Sequence, residues 1–147
     1  MKIYAENRRA RFDYTISDKF EAGIELKGHE VKAIKTGHVS LLGSFVIVKN
    51  NQAQLLNADI PPYQPANTPK GYDSKRTRRL LLSAKEIKTL LGKTQEKGLT
   101  LVPIKMYNKG DLIKLEIGLG KSKKKADKRL VIKKRDVERE IAQKLKN

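Results

Sequence analysis

Between residues 8 and 118 the apolar side chains recur chiefly at every second position, a period that belongs to β-strands rather than helices. Phe12, Tyr14 and Ile16 alternate with Arg11, Asp13 and Thr15, and Phe20, Ala22, Ile24 and Leu26 alternate with Lys19, Glu21, Gly23 and Glu25. With Ser17-Asp18 as the bend between them, these residues make one long strand or a hairpin. Ser44 to Lys49 and Ala53 to Asp59 flank Asn50-Asn51, and asparagine tolerates the left-handed backbone angles of a tight hairpin turn. Leu99 to Tyr107 and Leu112 to Ile117 flank a second turn of similar chemistry, Asn108-Lys109-Gly110-Asp111. Six short strands result, several of them antiparallel.

Helical signals are few. Ser83-Ala84-Lys85-Glu86 is a capping box, Leu82 and Ile87 can form a hydrophobic staple, and Gly92 is placed to stop that helix. Gly28 to Gly37 gives a second, with Val31 and Ile34 on one side, Lys32 and Lys35 on the other, and Gly37 as terminator. The expected architecture is therefore mainly β: an oligonucleotide-binding-type six-stranded antiparallel barrel with two or three small helices and a basic C-terminal tail. One connection resists packing, because four of the five prolines fall between Pro61 and Pro69 and no period resumes before Arg79-Leu80-Leu81-Leu82. It carries Tyr63 and Tyr72 beside Lys70, Lys75, Arg76, Arg78 and Arg79, a mixture suited to stacking on bases and clamping phosphates, or else simply a solvated linker.

Charge divides the chain in two. Its net charge is +17, and residues 121–147 hold 12 basic and 4 acidic side chains, a net +8 in 27 residues. The preceding 120 residues carry only +9. We expect a barrel domain over residues 1–120 and a tail over 121–147, opening with the self-repelling run Lys121-Ser122-Lys123-Lys124-Lys125. Val137, Ile141 and Leu145 recur every four residues in that tail and Glu140 can pair with Lys144, so it is expected to be disordered when free and helical on a polyanion.

The same arithmetic excludes several function classes. Without cysteine there is no disulfide framework, thiolate metal site or cysteine nucleophile, and His29 and His38 are the only imidazoles. The longest unbroken apolar run is Phe45 to Val48, four residues against the roughly 18 needed to span a bilayer. Residues 1–7 lack a signal-peptide apolar region, so a soluble cytoplasmic chain with no membrane contact is expected. No nucleophile–base pair, paired carboxylates or phosphate loop emerges, so neither catalysis nor a metal or cofactor is expected. What remains is a polyanionic partner, and a barrel with long loops favours structured or single-stranded RNA. The alternative is a ribosomal or nucleoid-associated protein binding RNA or DNA without selectivity.

Several motifs together resemble one family. Asn7-Arg8-Arg9-Ala10-Arg11-Phe12-Asp13-Tyr14, Phe20-Glu21-Ala22-Gly23-Ile24 and Leu26-Lys27-Gly28-His29-Glu30-Val31-Lys32 are similar to the opening of the bacterial SsrA-binding proteins. Tyr72-Asp73-Ser74-Lys75-Arg76-Thr77-Arg78-Arg79-Leu80-Leu81-Leu82, Gly98 to Pro103 and Asp127-Lys128-Arg129 resemble that family's later motifs. The resemblance implies a partner of transfer-messenger RNA in trans-translation, whose barrel holds the tRNA-like domain and delivers it with elongation factor Tu to stalled ribosomes. It also implies a tail that becomes helical in the empty message channel. By motif position, Asn7, Glu21 and Leu81 correspond to RNA contacts, although by residue chemistry alone Leu81 is core. With the basic side chains Arg8, Arg9, Arg11, Lys32, Lys35, Lys75, Arg76, Arg78 and Arg79 they form the expected RNA-binding set. The expected ribosome-binding set is Lys123, Lys124, Lys125, Asp127, Lys128, Arg129, Lys133, Lys134 and Arg135. Two positions depart from the family pattern: Ser122 replaces a usual glycine, and Ala126 replaces an aromatic or histidine, which removes a potential stacking group.

Overall fold

A computed structural model describes residues 1–95 and 98–123. Chain order is β1 (Ile3–Glu6), α1 (Arg8–Asp13), β2 (Tyr14–Ile24), α2 (Gly28–Lys35), β3 (Phe45–Lys49), β4 (Gln52–Leu56), β5 (Arg78–Leu81), α3 (Ala84–Thr94), β6 (Leu99–Lys109) and β7 (Leu112–Ser122), with a single 3-10 turn at Pro65–Asn67. The architecture is mainly β as expected, but the described residues form seven strands rather than six. They make one antiparallel sheet in the order β1-β6-β7-β2-β5-β4-β3. Among the described residues the edge strands β1 and β3 do not pair, so the sheet is not closed by hydrogen bonds; it curls until β3 lies against β6.

Local chemistry explains where elements begin and end. Asn50 and Asn51 both adopt positive φ, 52° and 59°, and thus build the two-residue turn that joins β3 to β4. Ser83 and Glu86 cap each other's backbone N–H at the start of α3. Gly37, at φ 85°, ends the α2 region in a conformation that costs a side-chain-bearing residue more. Gly92 does not stop α3: the helix runs through it to Thr94.

Two register shifts decide which side chains meet. Uniform alternation puts Phe12, Tyr14 and Ile16 on the same face as Phe20, Ala22 and Ile24. Instead Phe12 and Arg11 lie in α1, and the bend at Ser17-Asp18 is a bulge within one continuous strand, between Ile16 and Lys19 in the pairing of β2 with β7. Ala22 and Ile24 enter the main core with Leu55, Leu80, Leu115, Ile117 and Leu119, which α2 closes with Ala33 and Ile34 and α3 with Leu90. Ile16 and Tyr14 turn to the other face. A second shift, between Pro103 and Lys105 of β6, sends Val102 and Ile104 the same way, while Leu101 and Met106 point into the core.

That outer face has its own small apolar layer. A Cβ on Gly118 would lie 2.7 Å from both Ile104 and Ile16, and one on Gly120 would lie 2.8 Å from Val102. The glycines of β7 thus form a trough that the side chains of β2 and β6 fill, and α1, lying against both strands, buries Ala10 nearby. The strand continues beyond Gly120 to Ser122, and the Lys123 backbone N–H donates to the Asp13 carbonyl at 2.9 Å. The domain boundary expected at Gly120 therefore falls inside β7. Lys124, Lys125, Asp127, Lys128, Arg129, Lys133, Lys134, Arg135 and the latent helix of the tail lie outside the described residues.

Candidate nucleic-acid interface

The outer face of β5, β2, β7 and β6 gathers several of the residues singled out from sequence. At one end stand the arginines of α1, with the Arg8 side chain 92% exposed and Arg9 exposed above Asp13, its ion-pair partner at 3.1 Å. Asn7 makes that placement possible. Its Oδ1 accepts from the Ala10 N–H at 3.3 Å, its Nδ2 donates to the Pro103 carbonyl at 2.9 Å, and its backbone N–H donates to Ile104 at 2.7 Å. Asn7 is buried, so in this structure it caps α1 and ties it to β6 rather than facing a base. Arg11 is exposed on the same helix, and not on the strand that alternation predicts.

Farther along β2 the face changes character. Glu116 on β7 sits between Lys19 at 3.6 Å and Lys105 at 3.4 Å, and across from it on β2 stands Glu21. Tyr107 reaches from β6 across β7 to donate its hydroxyl to Glu21 Oε2, and Lys109 Nζ donates to Oε1 at 3.1 Å. These bonds, Tyr107's first, hold the Glu21 carboxyl below its ordinary value, while burial and then Glu21 push the Tyr107 phenol up. Leu81, which the resemblance places on the RNA and residue chemistry alone in the core, is 48% exposed, because β5 alternates Arg78 and Leu80 inward with Arg79 and Leu81 outward. Its side chain lies over Gly23, where a Cβ would come within 3.2 Å. Glu21 and Leu81, which pairs with Gly23, therefore stand toward one end of the face, with Arg79 farther along in register with Glu25, and the α1 arginines hold the other end. From Ile16 to Glu21 the separation is five residues of strand, about 16 Å.

The basic run at residues 75–79 does not act as a unit. Arg78 is fully buried and all its donor nitrogens are used: Nε and Nη2 donate to Glu30 Oε2 at 2.9 and 2.6 Å, Nη1 to the Ala58 carbonyl at 2.7 Å, and Nη2 also to Ser74 O at 2.9 Å and Tyr72 Oη at 3.0 Å. Arg76 donates to both Glu30 oxygens, and the Tyr72 hydroxyl donates to Glu30 Oε2 at 3.0 Å and to Ile60 O at 2.8 Å. The phosphate role expected of Arg78 is thus corrected: its charge is already spent on the one buried carboxylate of α2. Burial alone would raise Glu30, but Arg76, the Lys27 N–H and Arg78 outweigh it and hold the carboxyl at about 2. Burial, and then Glu30, push Tyr72 up to about 12. This cluster fastens both ends of the proline-rich connection, at Ile60 and Tyr72, to α2, while residues 62–67 between them stay exposed.

The remaining expected contacts are dispersed. Lys75 is exposed in the turn after Asp73, whose Oδ1 accepts from the Lys75 N–H at 3.0 Å. Lys35 is exposed near the end of α2, and Lys32 lines a separate cleft of about 320 Å³ with His29, Tyr63 and Asn67. Lys123 donates its ammonium to the Arg11 carbonyl at 2.8 Å, which ties the start of the tail to α1. Tyr107, Lys105 and Lys109 were missed from sequence, because the shift in β6 changes which face each presents; Lys19 already alternates to the side of Glu21, and only its pairing with Glu116 was not legible.

Comparison with known proteins shows the family. The family model described as SmpB protein matches residues 4–147. The SsrA-binding protein of Carboxydothermus hydrogenoformans is 51% identical over 145 residues, covering 99% of this chain and 97% of that protein. The SsrA-binding protein of Microcystis aeruginosa is 46% identical over 146 residues, covering 99% and 95%. Among solved structures, a chain from "tmRNA-SmpB: a journey to the center of the bacterial ribosome" superposes with a TM-score of 0.67 at 45% identity, covering 82% of this chain and 84% of that one. By these matches the chain belongs to the SmpB family of SsrA-binding proteins.

Proposed function

We propose that this chain binds the tRNA-like domain of transfer-messenger RNA through the outer face of β5, β2, β7 and β6 together with α1. It then delivers that RNA, with elongation factor Tu, to stalled ribosomes in the cytoplasm for trans-translation. It acts as a non-catalytic RNA-binding factor. The observation that carries the reading is that Glu21, Arg79 and Leu81 lie on the same face as the α1 arginines. Guanidinium groups at one end supply phosphate attraction, and a carboxylate beside an exposed leucine at the other supplies contacts that phosphate cannot make. Residues 124–147 carry much of the remaining charge, and in this reading they act in the message channel of the ribosome rather than on the tRNA-like domain.

Binding to a tRNA-like RNA and to duplex DNA of equal length, compared from 50 to 200 mM salt, tests the proposal. We expect a clear preference for the RNA that persists as salt rises, with affinity for both falling along a log–log line. Equal affinity for the two at every salt concentration would instead identify a non-selective basic protein.

A further inference from the structure

We infer that Tyr107 and Lys109 are positioning residues that make Glu21 an acceptor for the N–H and O–H donors of RNA, so that this end of the face reads chemical groups rather than phosphate charge. The inference rests on the reading that the outer face meets RNA, and it assigns the chemistry recognised there.

A bare carboxylate is a poor group to offer a polyanion, since it repels every phosphate near it. It becomes useful only where its charge is offset and its lone pairs are aimed. Both conditions hold at Glu21. Lys109 supplies the offsetting charge at 3.1 Å from Oε1, and Tyr107 occupies one lone pair of Oε2. Each oxygen has about two acceptor positions, so each keeps one that the protein does not use. Those positions are accessible, because the Glu21 side chain is 36% exposed and borders a cleft of about 350 Å³ with Asn108 and Gly110.

Tyr107 is the stiffer of the two supports. It is only 6% exposed, its ring lies 5.6 Å from the Lys105 ammonium, and its phenol spans the width of β7 with two torsions to fix. Held neutral, it can only donate to an ionised Glu21, so the bond has one polarity. Without that hydroxyl, Glu21 is free to swing fully toward Lys109, and its lone pairs no longer face the cleft. Donors that match this arrangement are base amino groups and ribose 2′-hydroxyls, which phosphates do not provide.

The test measures binding of the full-length chain to a tRNA-like domain RNA, using Glu21→Gln, Tyr107→Phe, Lys109→Met and the two doubles that include Glu21→Gln. Tyr107→Phe should weaken binding about tenfold, with an unchanged slope of log affinity against log salt. In the Glu21→Gln background the same substitution should have no further effect, and so should Lys109→Met. Replacing guanosines by inosine, or riboses by 2′-deoxyriboses, separates amino groups from hydroxyls: at least one change should weaken the wild type but not Tyr107→Phe. Additive losses in the doubles, or RNA changes felt equally by wild type and variant, would overturn the inference. If Tyr107→Phe fails to fold, Lys109→Met, at an exposed position, decides by the same non-additivity. Weakened binding in Glu21→Gln with full binding in both single support variants would overturn the positioning role alone. Unchanged binding in Glu21→Gln would overturn the assignment of this end of the face to RNA.

Discussion

A single buried charge pair shows how little a residue's type says about its task. Arg76, Arg78 and Arg79 are three of the four basic residues in the run 75–79, yet one is half-buried, one enclosed and one on the outer face. The alternation of β5 already puts Arg78 on the side of Leu80. What makes that position tolerable is Glu30, 48 residues away in sequence, and no local pattern announces such a partner. Arg78→Met should leave Glu30 short of a counter-charge and cost about 3 to 5 kcal/mol of stability, measurable by urea unfolding. The same pair sets an acid limit. A carboxyl held at about 2 adds stability that is full above its ordinary value of 4.5, and that stability disappears as pH falls from there toward about 2. A stability profile over that interval should fall less steeply in Glu30→Gln than in the wild type. Gly118 is equally silent in the sequence. Gly118→Val would drive side-chain atoms into Ile104 and Ile16 and should cost about 1 to 3 kcal/mol, read from the thermal midpoint.

Elements are legible where a turn or cap has its own chemistry and illegible where a strand changes face. The Asn50-Asn51 turn, the Ser83 capping box and the long strands all follow from local residue preferences. The bulges in β2 and β6 do not, because one inserted residue flips every following side chain without altering the composition. That is why Tyr107 reads as core in a uniform alternation from Leu101, and why Tyr14 and Ile16 read as partners of Phe20. The same shifts create the candidate site: they bring Tyr107 to Glu21 and give α1 an apolar bed. Family resemblance assigns residue 81 to RNA and side-chain chemistry assigns it to the core, and only the pairing of β5 with β2 decides its exposure. Ser83→Ala should cost about 1 kcal/mol in thermal unfolding while leaving RNA affinity unchanged, since α3 does not share the outer face.

At the scale of the molecule, the net +17 falls as +9 over residues 1–120 and +8 over residues 121–147, and the proposed function gives these two pools separate work. The last described contacts, from Lys123 to Asp13 and Arg11, close the sheet's final strand against α1. Among the described residues, the main core and the outer layer draw on residues up to Gly120. In the proposed function, α1 and the Glu21 end of the face would hold the tRNA-like domain, and the tail's charge would work on the ribosome. The most direct measurement is the affinity of a chain ending after Lys123 for tRNA-like RNA, set beside that of the full chain at about 150 mM salt, where long-range attraction is largely screened. A divided molecule predicts affinities within a few-fold of each other and an undiminished effect of Glu21→Gln. A loss of a hundredfold or more in the shortened chain, with its thermal unfolding unchanged, would contradict that division.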